Sequence, residues 1–329
     1  MAAKTSAAIR LEPVDEYLHA NTGEPNFNES MYFNFFDASR RLGGFLRIGN
    51  RPNERYAETT ICLYQPDGRV IFNFKRPEIA DHASFEAGGM RFEVEAPFER
   101  LRIEYAGKAC RLADPLAMRD PRAAFQTNPF VPVEIRLAIR GVGPMFGGER
   151  ERAAAADPEL EFARGHYEQH HRASGRITID GVAHEFDGLG LRDHSWGPRS
   201  WQAPLYYRWL TGNFGDDFGF MANWIAARDG SEIRAGFLHR GKQLVLVRHV
   251  EIETQWAGSE KLHDRLHARL TCADGEVLEI EGRVLSLIPL RNRRDGRTTR
   301  IAEGMTEWRC QGRTGYGLSE YLDQIDAGS

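Results

Sequence analysis

From Met31 onward, short runs of β-branched and aromatic residues alternate with Gly, Asp and Pro turn signals at the spacing of an antiparallel meander. The runs Met31–Phe36, Gly44–Ile48, Glu58–Tyr64 and Val70–Lys75 predict strands. Between the last two, Gln65-Pro66-Asp67-Gly68 predicts a tight turn, because proline presets φ and glycine accepts positive φ. Further strands are predicted at Ser84–Val94, folded about Ala87-Gly88-Gly89, at Leu101–Ala106, at Val131–Arg140, and at Gly175–Ile179 paired with Ala183–Leu189 across Asp180-Gly181. After Pro204 the pattern resumes through Leu205–Thr211, Asp217–Ala227, Ile233–Arg240, Gln243–Thr254, His263–Cys272, Val277–Leu287 and Met305–Gln311. Within His263–Cys272, Leu266, Ala268, Leu270 and Cys272 alternate with His267, Arg269 and Thr271, so one face of that strand is buried. Sequential hairpins of this kind predict up-and-down barrels or strongly coiled sheets.

The one interruption is Gly147–Arg164, rich in Ala, Glu and Arg, which reads as an exposed helical or irregular connector. A chain of 329 residues exceeds what one core usually supports, so two β domains are expected, at 1–174 and 175–329. A formal charge of −4 offers no general attraction for phosphate backbones, which argues against a nucleic-acid partner. No apolar run has the length of a signal peptide or a membrane span, so a cytoplasmic protein without membrane insertion is expected. The cysteines at 62, 110, 272 and 310 lack C-x-x-C spacing, and no metal site or disulfide framework is expected of them. The arginine-rich stretch Leu290–Arg300 reads as a solvated loop or as the charged rim of a ligand mouth.

Candidate chemistry concentrates in Gly188-Leu189-Gly190-Leu191-Arg192-Asp193-His194-Ser195-Trp196-Gly197-Pro198-Arg199-Ser200-Trp201. Two glycines permit close backbone approach, while a carboxylate, an imidazole and two indoles crowd a few positions. At strand spacing Asp193 and Ser195 face one way and His194 and Trp196 the other, so the two rings share a wall. A turn cap or a hinge between domains is the competing reading.

The string Asp193-His194-Ser195-Trp196-Gly197 resembles the D-H-x-W-G signature of the AttH-like, lipocalin-type two-domain proteins, which include carotenoid 1,2-hydratases, kievitone hydratase and certain fungal Diels–Alderases. The resemblance implies an all-β fold of two lipocalin-like (calycin-like) antiparallel barrels or sandwiches with a short connecting helix, and an apolar ligand. In the hydratase branch the histidine and tryptophan of the motif belong to the active site, which points to His194 and Trp196. The tyrosine and aspartate expected on the following strand are replaced near their places by Met221 and Asn223, so Asp193 or Asp217 would have to supply the acid.

Hydrating an unactivated alkene requires a carboxylic acid kept neutral by apolar surroundings and aromatic faces that stabilise a developing cation. Asp193 as acid, His194 as its partner or as a water-orienting base, and Trp196, Trp201, Tyr207 and Trp209 as walls meet that requirement. The same parts suit an isomerase or a cyclase. Arg192 and Asn223 join the candidate binding set, and Glu320 would fix the floor if it were buried beside Arg192 or Arg208.

In Gly165–Arg172, His166 and His170 stand at helical metal-ligand spacing, but a strand reading is preferred; it puts Tyr167, Gln169 and His171 on the pocket face. No dinucleotide fingerprint, P-loop or nucleophile elbow occurs, so a cofactor-free reaction is expected. The leading expectation is hydration, dehydration or isomerisation of a C=C bond in a terpenoid, steroid-like or polyketide-like molecule. Its rival is a non-catalytic carrier of the same ligand class, and a homodimer fits either.

Overall fold

The protein is described here by a computed structural model covering residues 9–150, 163–294 and 296–325. Its first sheet runs through β1 (Ile9–Arg10), β2 (Phe27–Asp37), β3 (Leu42–Arg51), β4 (Tyr56–Tyr64), β5 (Val70–Lys75), β6 (Phe85–Ala87), β7 (Met90–Ala96), β8 (Arg100–Leu112), β9 (Phe130–Gly141), β10 (Phe146–Arg150), β11 (Gly165–Ile179) and β12 (Val182–Pro198). Because β9 pairs with both β8 and β11, the strands β2-β3-β4-β5-β8-β9-β11-β12 close on themselves as a first barrel. The second barrel is β13 (Pro204–Gly215), β14 (Phe218–Ala227), β15 (Glu232–Arg240), β16 (Gln243–Ala257), β17 (Leu262–Cys272), β18 (Val277–Arg294), β19 (Arg297–Cys310) and β20 (Arg313–Ile325), closed in chain order. The fold is all-β with two antiparallel barrels, and no described helix is long and apolar enough to cross a membrane.

Alternation in the sequence sets the faces. Along β9, Val131, Val133, Ile135, Leu137 and Ile139 point into the first barrel while their neighbours meet solvent. β2 breaks the alternation because both its faces are covered. Met31, Phe33 and Phe35 fill the first barrel, and Tyr32 and Phe36 pack outward with Ile288, Met305 and Leu318 of the second. The predicted hairpins across Gln65–Gly68, Ala87–Gly89 and Asp180-Gly181 all form, the last with φ of 53° and 79° at its two turn residues.

One expectation needs correction. β11 and β12 pair with β9 and β2, so the first sheet keeps Gly165–Pro198 and the chain passes to the second barrel at 199–203, later than the expected boundary at 174/175. Of the expected connector Gly147–Arg164, the first residues belong to the strand Phe146–Arg150, and 151–162 lie outside the described residues. Among the described residues an α-helix, α1 (Pro121–Thr127), follows β8, capped by the Asp120 side chain, which accepts from the Ala123 N–H.

Glycines let β12 lie against β2. A Cβ at Gly190 would sit 1.7 Å from the Asn34 carbonyl oxygen, a backbone atom that cannot move alone. Gly190→Ala should therefore force the two strands apart and cost roughly 1–3 kcal/mol or more, read as a lowered urea midpoint; unchanged stability would contradict this packing.

Candidate functional site

β12 carries two different polar clusters, one on each face. Its register with β11 sets Arg192 opposite Gln169, His194 opposite Tyr167 and Trp196 opposite Gly165, all turned into one end of the first barrel. The indole of Trp196 occupies the space over Gly165, where a Cβ would lie 2.1 Å from the ring. Gly197, at φ 109°, and Pro198 then release the chain toward the second barrel.

The inward cluster is closed. Arg192 is 1 % exposed and forks onto Glu16 at 2.6 and 2.9 Å, while its Nε–H donates to Gln169 Oε1 at 3.0 Å. Tyr167 donates its hydroxyl hydrogen to Glu16 at 2.8 Å and lies 3.2 Å from His194 Nδ1. His194 Nε2 lies 2.9 Å from Glu29, which also receives His19 Nδ1 at 2.7 Å and His82 Nε2 at 2.9 Å. His19 stacks on Trp196 with ring centres 3.8 Å apart, sealing the end. Burial would raise the Glu16 and Glu29 carboxyls, but Arg192 at Glu16 and the histidines at Glu29 hold both below the usual range. His19, Glu29 and His194 offer ligand atoms within 4.8 Å of one another and could hold a metal ion; in this geometry the same atoms satisfy each other as hydrogen bonds.

The outward face meets the second barrel. Asp193 and Glu168 sit opposite each other in the β11–β12 register, and Tyr32 of β2 sits opposite Asp193. Across the gap, Glu303 and Glu320 are register partners on β19 and β20. Tyr207 donates its hydroxyl to Glu320, Trp209 donates its indole N–H to Glu168 at 2.7 Å, and Asn223 stands opposite Trp209 in the β13–β14 register. Four carboxyls thus share a desolvated layer with the guanidiniums of Arg47 and Arg199. Two positive charges cannot balance four negative ones there, so protons are retained. Burial raises all four carboxyls, and repulsion from neighbouring carboxylates adds to the rise at Glu168, Asp193 and Glu303. Asp193 is pushed up to about 7, chiefly by burial, with Arg199 and Arg47 opposing the rise. Glu168, Glu303 and Glu320 are at most 7 % exposed, whereas Asp193 keeps more accessible surface.

Next to this layer lies a cleft of about 300 Å³ between the barrels, walled by Arg51, Glu58, Arg76, Arg199, Trp201 and the Asn292–Arg294 end of β18. The arginine-rich stretch is therefore hairpin and cleft wall, not free loop.

The candidate residues divide accordingly. Tyr167, Gln169, Arg192, His194 and Trp196 come together inside the first barrel; Asp193, Tyr207, Trp209, Asn223 and Glu320 come together on the layer between barrels, with Trp201 in the cleft wall. The resemblance implies an apolar ligand at His194 and Trp196, but ion pairs and stacked rings surround these side chains, which are 0 % and 4 % exposed. Asp193 and His194 point to opposite sides of the strand, so they cannot act as acid and base on one molecule. Glu320 pairs with Tyr207, not with Arg192 or Arg208, which bind Glu16 and Asp323. Glu16, Glu29, Glu168 and Glu303 escaped the sequence reading. For Glu303 a signal exists: it stands between Ile301 and Met305 on one strand face, a charge at a buried apolar position.

A family profile described as "Domain of unknown function (DUF7064)" matches residues 12–325. No curated protein matches in sequence. Among solved structures, a protein from Nitrosomonas europaea provisionally identified as AttH superposes with a TM-score of 0.60 at 14 % identity, covering 91 % of this chain and 93 % of that one. CghA with Sch210972 superposes with a TM-score of 0.57 at 13 % identity over 92 % and 90 %. CghA alone gives 0.52 at 12 % identity over 93 % and 90 %. At such identities the likeness shows the fold alone, which this chain shares with these proteins over most of its length.

Proposed function

Taking as premise that this chain belongs to the DUF7064 family, we propose that it is an enzyme that protonates a small molecule held between its two barrels, with Asp193 as the proton donor. The observation that carries this reading is a carboxyl raised to about 7 that keeps accessible surface in a layer of otherwise sealed acids. A group poised near neutrality gives up and regains a proton readily, which a structural carboxylate does not need. The Glu303–Glu320 pair and Tyr207 form a connected acid network across the layer, suited to returning that proton. Trp209, Tyr207 and Tyr32 present aromatic surface to charge developing on carbon. Hydration, dehydration or isomerisation of a C=C bond is the reaction class these groups serve, without any step through His194. That residue and Trp196 act as positioning residues, bracing β12 from behind. A likeness in fold to CghA, solved with Sch210972, supports a small organic ligand.

Two measurements test this. Metabolite extract incubated with the protein should show one compound converted to an isomer or to a product differing by one water, and no conversion by Asp193→Asn. Turnover should also fall as pH rises through about 7, because the raised carboxyl loses the proton it must donate. A rate that is flat from pH 5 to about 9, or that rises through 7, would reject Asp193 as the acid.

A further inference from the structure

The cleft is strongly positive on a chain that is net negative. Five arginines (51, 76, 199, 293 and 294) line it against two glutamates, Glu54 and Glu58. Those two carboxylates are already divided: Glu58 lies 3.3 Å from Arg47 and 3.1 Å from Arg76, and Glu54 bridges Arg51 and Arg294. Arg51 is 2 % exposed, yet its Nη2 has no hydrogen-bond partner among the described residues. Leaving a guanidinium nitrogen desolvated and unpaired is costly unless a ligand supplies the acceptor. Crowding is also felt at Arg199, which burial and the neighbouring Arg47 hold down to about 10. Beside these groups Trp201 offers a flat wall, its ring centre 5.6 Å from the Arg47 guanidinium carbon and 5.4 Å from that of Arg199. Arg76 and Arg294 are half-exposed, so the mouth is open to solvent.

We infer that this cleft binds an oxyanion, the carboxylate or phosphate of a small organic molecule, held by Arg51, Arg76 and Arg199 with its carbon skeleton along Trp201. Planar guanidinium forks match carboxylate and phosphate oxygens in pairs, and the volume suits a head group with a short skeleton. This deepens the proposed function by naming the substrate class: an acid anchored at Arg51 and Arg199 would extend past Arg199 toward Asp193, on which Arg199 exerts the largest opposing charge. Such a ligand is amphipathic, where the family resemblance implies an apolar one.

Calorimetric titration of the full chain with sodium cinnamate, phenyl phosphate and neutral cinnamyl alcohol tests this. At least one anion should bind about tenfold or more tightly than the alcohol, and weaken as salt is raised. The stronger of the two anions identifies the group. Arg51→Gln and the half-exposed Arg76→Gln should each weaken anion binding about fivefold or more without affecting the alcohol. Equal binding of alcohol and anions, no binding of either anion, or unchanged anion affinity in folded Arg76→Gln would overturn the inference. Asp193→Asn separates the two readings: it should retain anion binding while turnover is lost, whereas retained turnover would remove the acid assignment and leave the anion site standing.

Discussion

Replacing Asp193 with asparagine is expected to lower turnover by roughly 10²–10⁴-fold while the protein stays folded, the loss typical of removing a positioned proton donor. The substitution keeps shape and volume, so the layer between the barrels should stay packed. Stability should even improve at and above neutral pH, and the sign follows from linkage. The Asp193 carboxyl titrates at about 7 when folded, against an ordinary value of 3.8. Between those pH values the native state binds the extra proton, so this residue's contribution to stability is full below about 4 and is lost as pH rises to about 7. Asparagine cannot ionise and removes that loss. Urea midpoints of the two proteins should therefore converge near pH 4 and separate at pH 8, with the variant the more stable. A variant less stable than wild type at pH 8 would mean that Asp193 serves the layer as an anion.

The second large effect belongs to the inward face. Glu16→Ala should destabilise the protein by about 3–5 kcal/mol, because Arg192 would be left charged, 1 % exposed and without its carboxylate. Against a typical total of about 5–15 kcal/mol, that would leave much of the protein unfolded near body temperature. The double variant Glu16→Leu with Arg192→Met should recover most of the loss, since replacing both members of a buried pair by apolar groups is often neutral. Denaturation of the two variants beside the wild type checks this. A small effect of Glu16→Ala would show that the Glu16 carboxylate does not neutralise Arg192 inside the first barrel.

Much of this was legible in the sequence because it is local. Turn chemistry at Gln65–Gly68 and Asp180-Gly181, alternation at Leu266–Cys272 and the strand character of Gly165–Arg172 each depend on a few adjacent residues. The opposite facing of Asp193 and His194 also follows from strand period alone. What covers each face does not. β12 pairs with β2, setting His194 beside Met31, and that partnership is set by closure of a barrel, not by either strand's composition. Glu16 and Glu29 come from a stretch with no periodic pattern, and their importance arises only when Arg192 and three histidines converge on them. The family motif likewise singled out residues on both sides of one strand, without saying that its histidine braces the barrel while its aspartate faces the gap.

The central claim is that the carboxyl of residue 193 is neutral in the folded protein and titrates near neutrality between the barrels. Carbon-13 NMR of aspartate-labelled protein, with Asp193→Asn to assign the resonance, measures this directly. A midpoint near 7 is expected for the signal that the variant lacks. A midpoint in the ordinary aspartate range, about 4 or below, would contradict it.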